Sequence, residues 1–286
     1  MAGEAGQPQG HLHRVRHRDA QARQRTRHLR AGHGTLRPRP RTPQIPGRHR
    51  GGGDGPPCRT RAASPTARCL VLITTDVGDT LGSFDRPGTA EVLREIALAP
   101  DNAAEIDRNI LHVVPELTDE VAELVRERLL INPSDWPQIW PTGGFTAYPG
   151  TLAALARLAA LAPVVALSNV SCIAGPARIG DLLDQCGQHL AGIYTSYQLR
   201  ARKPQRRCWT TIAADHQVPV SDIVHLGDRV PEDVRGALAV GCRAAVLVNT
   251  RDVDVPEDVH RDPRVAVVPD LAGAAEHLAE LAGAPA

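Results

Sequence analysis

Lysine is nearly missing from this chain: one, Lys203, stands beside 32 arginines. Aromatic residues are almost as scarce, with three Trp, three Tyr and two Phe among 286 residues. No apolar run reaches the ~18 residues that a membrane-spanning helix needs, so no membrane partner is expected. Nor is there the apolar central run of a secretory leader. The six cysteines (Cys58, Cys69, Cys172, Cys186, Cys208 and Cys242) form no C-x-x-C pair, which argues against a thiolate metal site. Most of them fall in apolar segments, where a small reduced thiol is at home, and the compartment they point to is the cytoplasm.

The near-zero net charge of +1 averages two dissimilar pieces. Residues 1–68 carry 15 Arg against 3 acids, a net of +12, and the rest carries 18 basic residues against 29 acids, a net of −11. The first piece is rich in Arg, His, Gly and Pro and has almost no apolar periodicity. It lacks the apolar surface to offset chain entropy, so a disordered tail is expected over 1–68. A phosphate-neutralising arm is physically reasonable, but the aromatic interleaving of single-strand binders is absent. The favoured reading is a non-functional stretch, or an over-extended start read from GC-rich coding sequence; nucleic acid is disfavoured as a partner.

The remainder alternates in period. "CLVLITT" (69–75), "PVVALSN" (163–169), "AGIYTS" (191–196), "DIVHLGD" (222–228), "RAAVLVN" (243–249) and "RVAVV" (264–268) read as strands. Helical patterns separate them at 150–161, 173–185, 205–215 and 232–240, and a last one covers 270–282. Strands alternating with such helices predict an α/β fold with a doubly wound parallel sheet. Between the first strand and the rest, "GSFDRPG" (82–88) is turn-rich and three helical patterns follow, at 89–98, 102–113 and 118–131. A Pro- and Gly-punctuated connector covers 132–150. The expected division is a core of 69–84 and 149–286 with a helical insert at 85–148.

Ligands of such sheets bind beyond the carboxyl ends of the strands, so those ends carry the functional argument. The first strand ends in Asp76-Val77-Gly78-Asp79-Thr80 and the second in Ser168-Asn169. Arg202-Lys203-Pro204 follows the third; the fourth ends in Gly227-Asp228, with Asp233 five residues on. One edge thus gathers carboxylates, a hydroxyl and an ammonium. That the chain's single lysine falls here strengthens the pattern.

These four signals, in this order, resemble the haloacid dehalogenase (HAD) superfamily of hydrolases, in its branch with a small helical cap after the first strand. The resemblance covers about residues 69–282 and implies a Rossmann-like core. It further implies that Asp76 is the nucleophile, forming an aspartyl-phosphate. Ser168 and Asn169 would bind the phosphoryl group, and Lys203 would neutralise charge on nucleophile and phosphate alike. Mg²⁺ would be held by Asp76, the Gly78 carbonyl, Asp228 and Asp233. The partner implied is a small phosphorylated substrate, with a sugar or cyclitol phosphate favoured. The oligomeric state is left open, a homodimer being admissible.

One position departs from the family. Its phosphatases read D-x-D-G-T, with a general acid/base two residues after the nucleophile, whereas this chain has Gly78 there and the acid one place later. Asp79 is the candidate to have inherited proton transfer, the alternative being an anchor for the turn. Two rivals stand: a metal-independent hydrolase attacking carbon, as 2-haloacid dehalogenases do, and a catalytically weak protein that binds a ligand or partner. The first does not need the acids Asp228 and Asp233. Four of the eight aromatics, Trp136, Trp140, Phe145 and Tyr148, lie together in the connector. They read as a hydrophobic hinge ahead of a stacking platform.

Overall fold

The computed structural model describes residues 70–283. The basic tail expected over 1–68, Cys58 and Cys69 lie outside them. Six strands form one parallel sheet: β1 (Leu72–Thr75), β4 (Val164–Ser168), β5 (Gly192–Thr195), β6 (Ile223–Gly227), β7 (Ala244–Val248) and β8 (Val265–Val268). The order across the sheet is β5-β4-β1-β6-β7-β8. The three central strands are buried along their whole length, and the two edge strands only partly. That is why the central ones read as unbroken apolar runs rather than alternating patterns.

Side chains alternate across the sheet. Ile73, Val164, Val224 and Val246 point to one face and pack against Leu155, Leu158, Leu182, Leu271 and Leu278. Those leucines come from the helices Thr151–Leu161, Gly175–Cys186 and Leu271–Ala282. The neighbouring residues Leu72, Val165 and Ile223 take the other face, against Trp209, Ile212 and Ala237. Both faces are therefore covered, as a doubly wound sheet requires.

Between β1 and β4 the chain makes a two-stranded antiparallel ribbon, β2 (Gly82–Phe84) with β3 (Phe145–Ala147). The sequence reading had assigned both segments to turn and connector; three-residue strands are too short to leave a period. The helices Thr89–Ile96, Ala103–Ile106 and Asp119–Leu129 stand between the ribbon strands. They bury a cluster of their own, Leu93, Ile106, Leu111, Val125 and Leu129, which also takes in Val170 and Cys172 from the loop after β4. Thr118 caps the last of the three by accepting from the Val121 amide at 3.3 Å. The pattern expected over 102–113 is a short helix running into a wide turn at Asp107–Leu111. Trp136 and Trp140 pack edge to face at 5.1 Å against the helical cluster, as hinge residues would. Among the described residues, no helix is long and apolar enough to cross a membrane.

The ribbon depends on one close approach. A β-carbon on Gly82 would fall 2.2 Å from the Thr146 carbonyl oxygen, which is backbone and cannot swing away. Gly82→Ala is therefore expected to cost about 1–3 kcal/mol through overpacking, read as a melting point several degrees below the parent. An unchanged melting point would mean that the ribbon parts without cost.

Candidate active site

β1 delivers Asp76 to the sheet's carboxyl edge, where its amide donates to the Leu226 carbonyl on β6 at 2.8 Å. The chain then turns back on itself: Leu81 N–H donates to Val77 O at 2.9 Å and Asp79 N–H to Gly82 O at 2.7 Å. In that turn Asp79 has φ +60°, a left-handed conformation that glycine takes freely and aspartate tolerates better than most. Its carboxylate accepts from the Tyr148 hydroxyl at 3.4 Å on one oxygen. The other faces Arg251, also at 3.4 Å.

Lys203 is fully buried, and its ammonium lies 2.5 Å from Asp76 Oδ1 and 2.7 Å from Asp233 Oδ1. Asn169, one residue past the end of β4, fixes its backbone from both sides. The Asn169 amide nitrogen donates to the Lys203 carbonyl at 3.1 Å, and the Lys203 N–H donates to Asn169 Oδ1 at 2.8 Å. Ser168, the last residue of β4, is buried beside them.

β6 ends in Gly227, and the wide helical turn Val230–Arg235 brings Asp233 back over it. A β-carbon on Gly227 would lie 2.3 Å from the Asp233 carboxyl carbon, so only glycine leaves room. Asp233 accepts from the Arg229 amide at 3.0 Å and meets His225 Nε2 at 3.2 Å. An ionised carboxylate only accepts, so Nε2 carries the proton; the neutral ring then takes the Thr74 hydroxyl on Nδ1 at 2.8 Å. Burial, outweighing the pull of Asp233, lowers the His225 pKa and keeps the ring neutral.

Asp76, Asp228 and Asp233 are all buried, and one oxygen from each lies within 4.8 Å of the others. Lys203 meets two of them and Arg251 the third, and the pKa values record how far that positive charge compensates their burial. Burial alone would raise Asp233, but Lys203 and His225 together hold it below the ordinary carboxylate range. Lys203 is raised, because Asp233 and Asp76 outweigh the opposing effect of its burial. Burial first, and then Asp233, push Asp76 up to about 6 despite Lys203. Asp228 goes to about 7 through burial, Asp76 and Asp233, against Arg229 and Arg251. Its Oδ1 is buried without a partner. An orphaned oxygen beside an under-compensated trio of hard oxygen donors fits a divalent cation of the Mg²⁺ type.

Of the residues named from the sequence, Asp76, Lys203, Asp228 and Asp233 come together, with Ser168 and Asn169 adjoining. Asp79 falls outside the three-carboxylate cluster. His225 and Arg251 were not anticipated. His225 sits inside a strand, at a position that reads as core. Arg251 follows β7, the fifth strand end, where the same strand-end reasoning would have found it.

A family model described as HAD-hydrolase-like matches residues 200–274, the stretch that carries Lys203, Asp228 and Asp233. Over that stretch, about a quarter of the chain, the sequence is similar to HAD-like hydrolases. Among curated proteins, nothing matches it. Similar solved structures include a 2-haloacid dehalogenase from Pseudomonas syringae (21% identity, 74% of this chain and 99% of that one, TM-score 0.48). Others are a HAD phosphatase from Thermococcus onnurineus (17%, 73% and 98%, 0.49) and a magnesium-bound HAD-hydrolase from Bacillus subtilis (15%, 75% and 99%, 0.47). At these identities they bear on the fold and set neither substrate nor residue roles.

Asp228 gives a pH test with a definite sign. Its carboxyl titrates near 7 when folded and near 3.8 when unfolded. A raised carboxyl pKa lends stability at low pH that is lost as pH rises through the folded value. In chelator at pH 8, Asp228→Asn should therefore melt several degrees above the parent, and the gap should close towards pH 5. Calorimetry across that range checks it, and a variant melting below the parent at pH 8 would contradict the cause assigned.

Proposed function

We propose that this protein is a HAD-like hydrolase, a Mg²⁺-dependent phosphatase for a small phosphorylated metabolite, a sugar or cyclitol phosphate being the favoured class. One observation carries the reading: Asp228 and Asp233 stand buried beside Asp76, with ligand oxygens within 4.8 Å. Attack on carbon by a lone carboxylate has no use for two further buried acids, which would only raise the nucleophile's pKa and cost stability. A doubly charged cation together with a phosphoryl group accounts for them.

In this reading, Asp76, Asp228 and Asp233, with the Gly78 carbonyl, would hold the ion, which when bound would supply charge neutralisation and a template for in-line displacement. Lys203 holds Asp76 ionised and orients it. An Asp76 oxygen forms a bond to phosphorus as the bond to the leaving oxygen breaks, giving an aspartyl-phosphate. Ser168 donates to a phosphoryl oxygen, with Asn169 alongside. Asp79 gives a proton to the leaving oxygen and later takes one from the water that attacks phosphorus. Inorganic phosphate then leaves and Asp76 is restored.

A cavity of about 380 Å³ opens beyond Asn169, lined among others by Arg94, Asp107, His112, Ser171 and Arg178. Its size and polar walls suit a compact hydroxylated molecule rather than a macromolecule. Residues 85–148 would then serve as the cap that closes over it. The four free, buried cysteines of the described residues support a reducing, cytoplasmic setting.

Two substitutions test the chemistry on alkyl and aryl phosphates. Asp76→Asn keeps the size of the side chain but loses the nucleophile, so phosphate release should fall to background and no aspartyl-phosphate should be trapped. An active variant would sink the mechanism. Asp79→Asn should lower turnover by about 10²–10⁴-fold, and more for alkyl than for aryl phosphates, because a poor leaving group needs its proton more. A loss under about threefold on both would leave Asp79 a turn anchor, by the same yardstick for a lost acid.

A further inference from the structure

Arg251 reaches the site from the turn after β7 and touches two carboxylates at once. Its Nη2 donates to Asp228 Oδ2 at 2.6 Å, and its Nη1 lies 3.4 Å from Asp79 Oδ2. The turn that presents it is built to hold still. Asn249 and Val253 are bonded in both directions, Nδ2 to the Val253 carbonyl at 3.0 Å and Val253 N–H to Oδ1 at 3.0 Å. Between them the Thr250 hydroxyl donates to the Asp79 carbonyl at 2.7 Å, docking this turn on the loop after β1. Tyr148 closes the far side of the Asp79 carboxylate.

Two roles are open to a guanidinium in this place. It could compete with a cation for Asp228, or it could aim Asp228 at one. The division of the carboxylate decides: Arg251 takes Oδ2, while Oδ1 is buried without a partner. A competitor would cover the oxygen that the ion needs, whereas here that oxygen is left bare and its twin is pinned. We infer that Arg251 is a positioning residue whose fork sets Asp228 for the cation and Asp79 for proton transfer, tying the ion's seat to the displaced acid. The inference rests on the cation-dependent phosphatase reading. Planarity matters, because with Nη2 bonded to Asp228 the rigid guanidinium fixes where its Nη1 charge stands beside Asp79, which a point charge on a flexible stem does not.

The sign of the effect separates the two roles. Loss of a positive charge beside a cation site should tighten binding if repulsion or competition rules; loss of a positioning partner should weaken it. Mn²⁺ binding, followed by electron paramagnetic resonance of the free ion, is to be compared in the parent, Arg251→Gln and Arg251→Lys. The expected result for Arg251→Gln is weakening by about 10–100-fold, the range for partners that orient metal ligands. At saturating Mg²⁺, its extra loss on alkyl over aryl phosphates should match that of Asp79→Asn. Arg251→Lys, with charge but no fork, should recover less than half of the lost affinity on a logarithmic scale. Tighter or unchanged Mn²⁺ binding in Arg251→Gln, or full recovery with lysine, overturns the inference while the phosphatase reading stands. Weaker binding with an unaltered alkyl-to-aryl ratio overturns the link to Asp79. No Mn²⁺ binding in the parent would remove the phosphatase reading itself, and the inference with it.

Discussion

A buried ammonium set between two buried carboxylates, with a third beside them, is the constraint around which this site is organised. Lys203 is as buried as any core leucine, and no such charge survives in a protein interior without close partners. It has two, at 2.5 and 2.7 Å, and the structure spends several residues keeping them there. Asn169 grips the lysine backbone. Gly227 gives up its side chain so that Asp233 can pass. His225 props Asp233 from beneath, with Thr74 behind it and the Trp209 ring edge-on at 5.3 Å. The contacts run from strand interior to Asp76 without a gap, so the position of that carboxylate is set by core packing rather than by the loop after it.

The balance is deliberately incomplete. Asp233 takes most of the benefit of Lys203, and Asp76 and Asp228 are left with raised pKa values of about 6 and 7. Burial without full compensation costs stability, a cost typical of sites where binding is to supply the missing partner. The deficit is of the kind that a hard dication would fill. The same deficit weighs against an idle scaffold, since Asp228 keeps a buried oxygen without a partner, which an apolar side chain there would not leave.

What was legible in the sequence was whatever the strand ends display. A parallel sheet sends all its carboxyl ends to one edge, so Asp76, Ser168, Lys203 and Asp228 were found by position alone once the strands were read. The scarcity of lysine did the rest. Residues that act from inside an element were not legible: His225 alternates with Leu226 along β6 and looks like one more buried side chain. The ribbon of β2 and β3 was missed because three-residue strands carry no period. Arg251 was hidden for another reason, since one arginine among 32 carries no compositional signal, whereas one lysine among 33 basic residues does.

The displaced acid shows how a local departure propagates. At Gly78 the loop has lost a side chain. At Asp79 it has gained one in a left-handed slot that would suit glycine, and from there the carboxylate leaves the chain in a different direction. It does not fall among the other three acids. Left to itself it would be a half-exposed side chain free to rotate, and a freely rotating acid is a poor proton donor because each turnover must find the right rotamer again. What gives it a fixed direction is two neighbours, a tyrosine hydroxyl from the far end of β3 and a guanidinium from beyond β7. Moving an acid by one residue along the chain therefore draws in two other segments, 148 and 249–253. The site has to be understood as a joint property of the three.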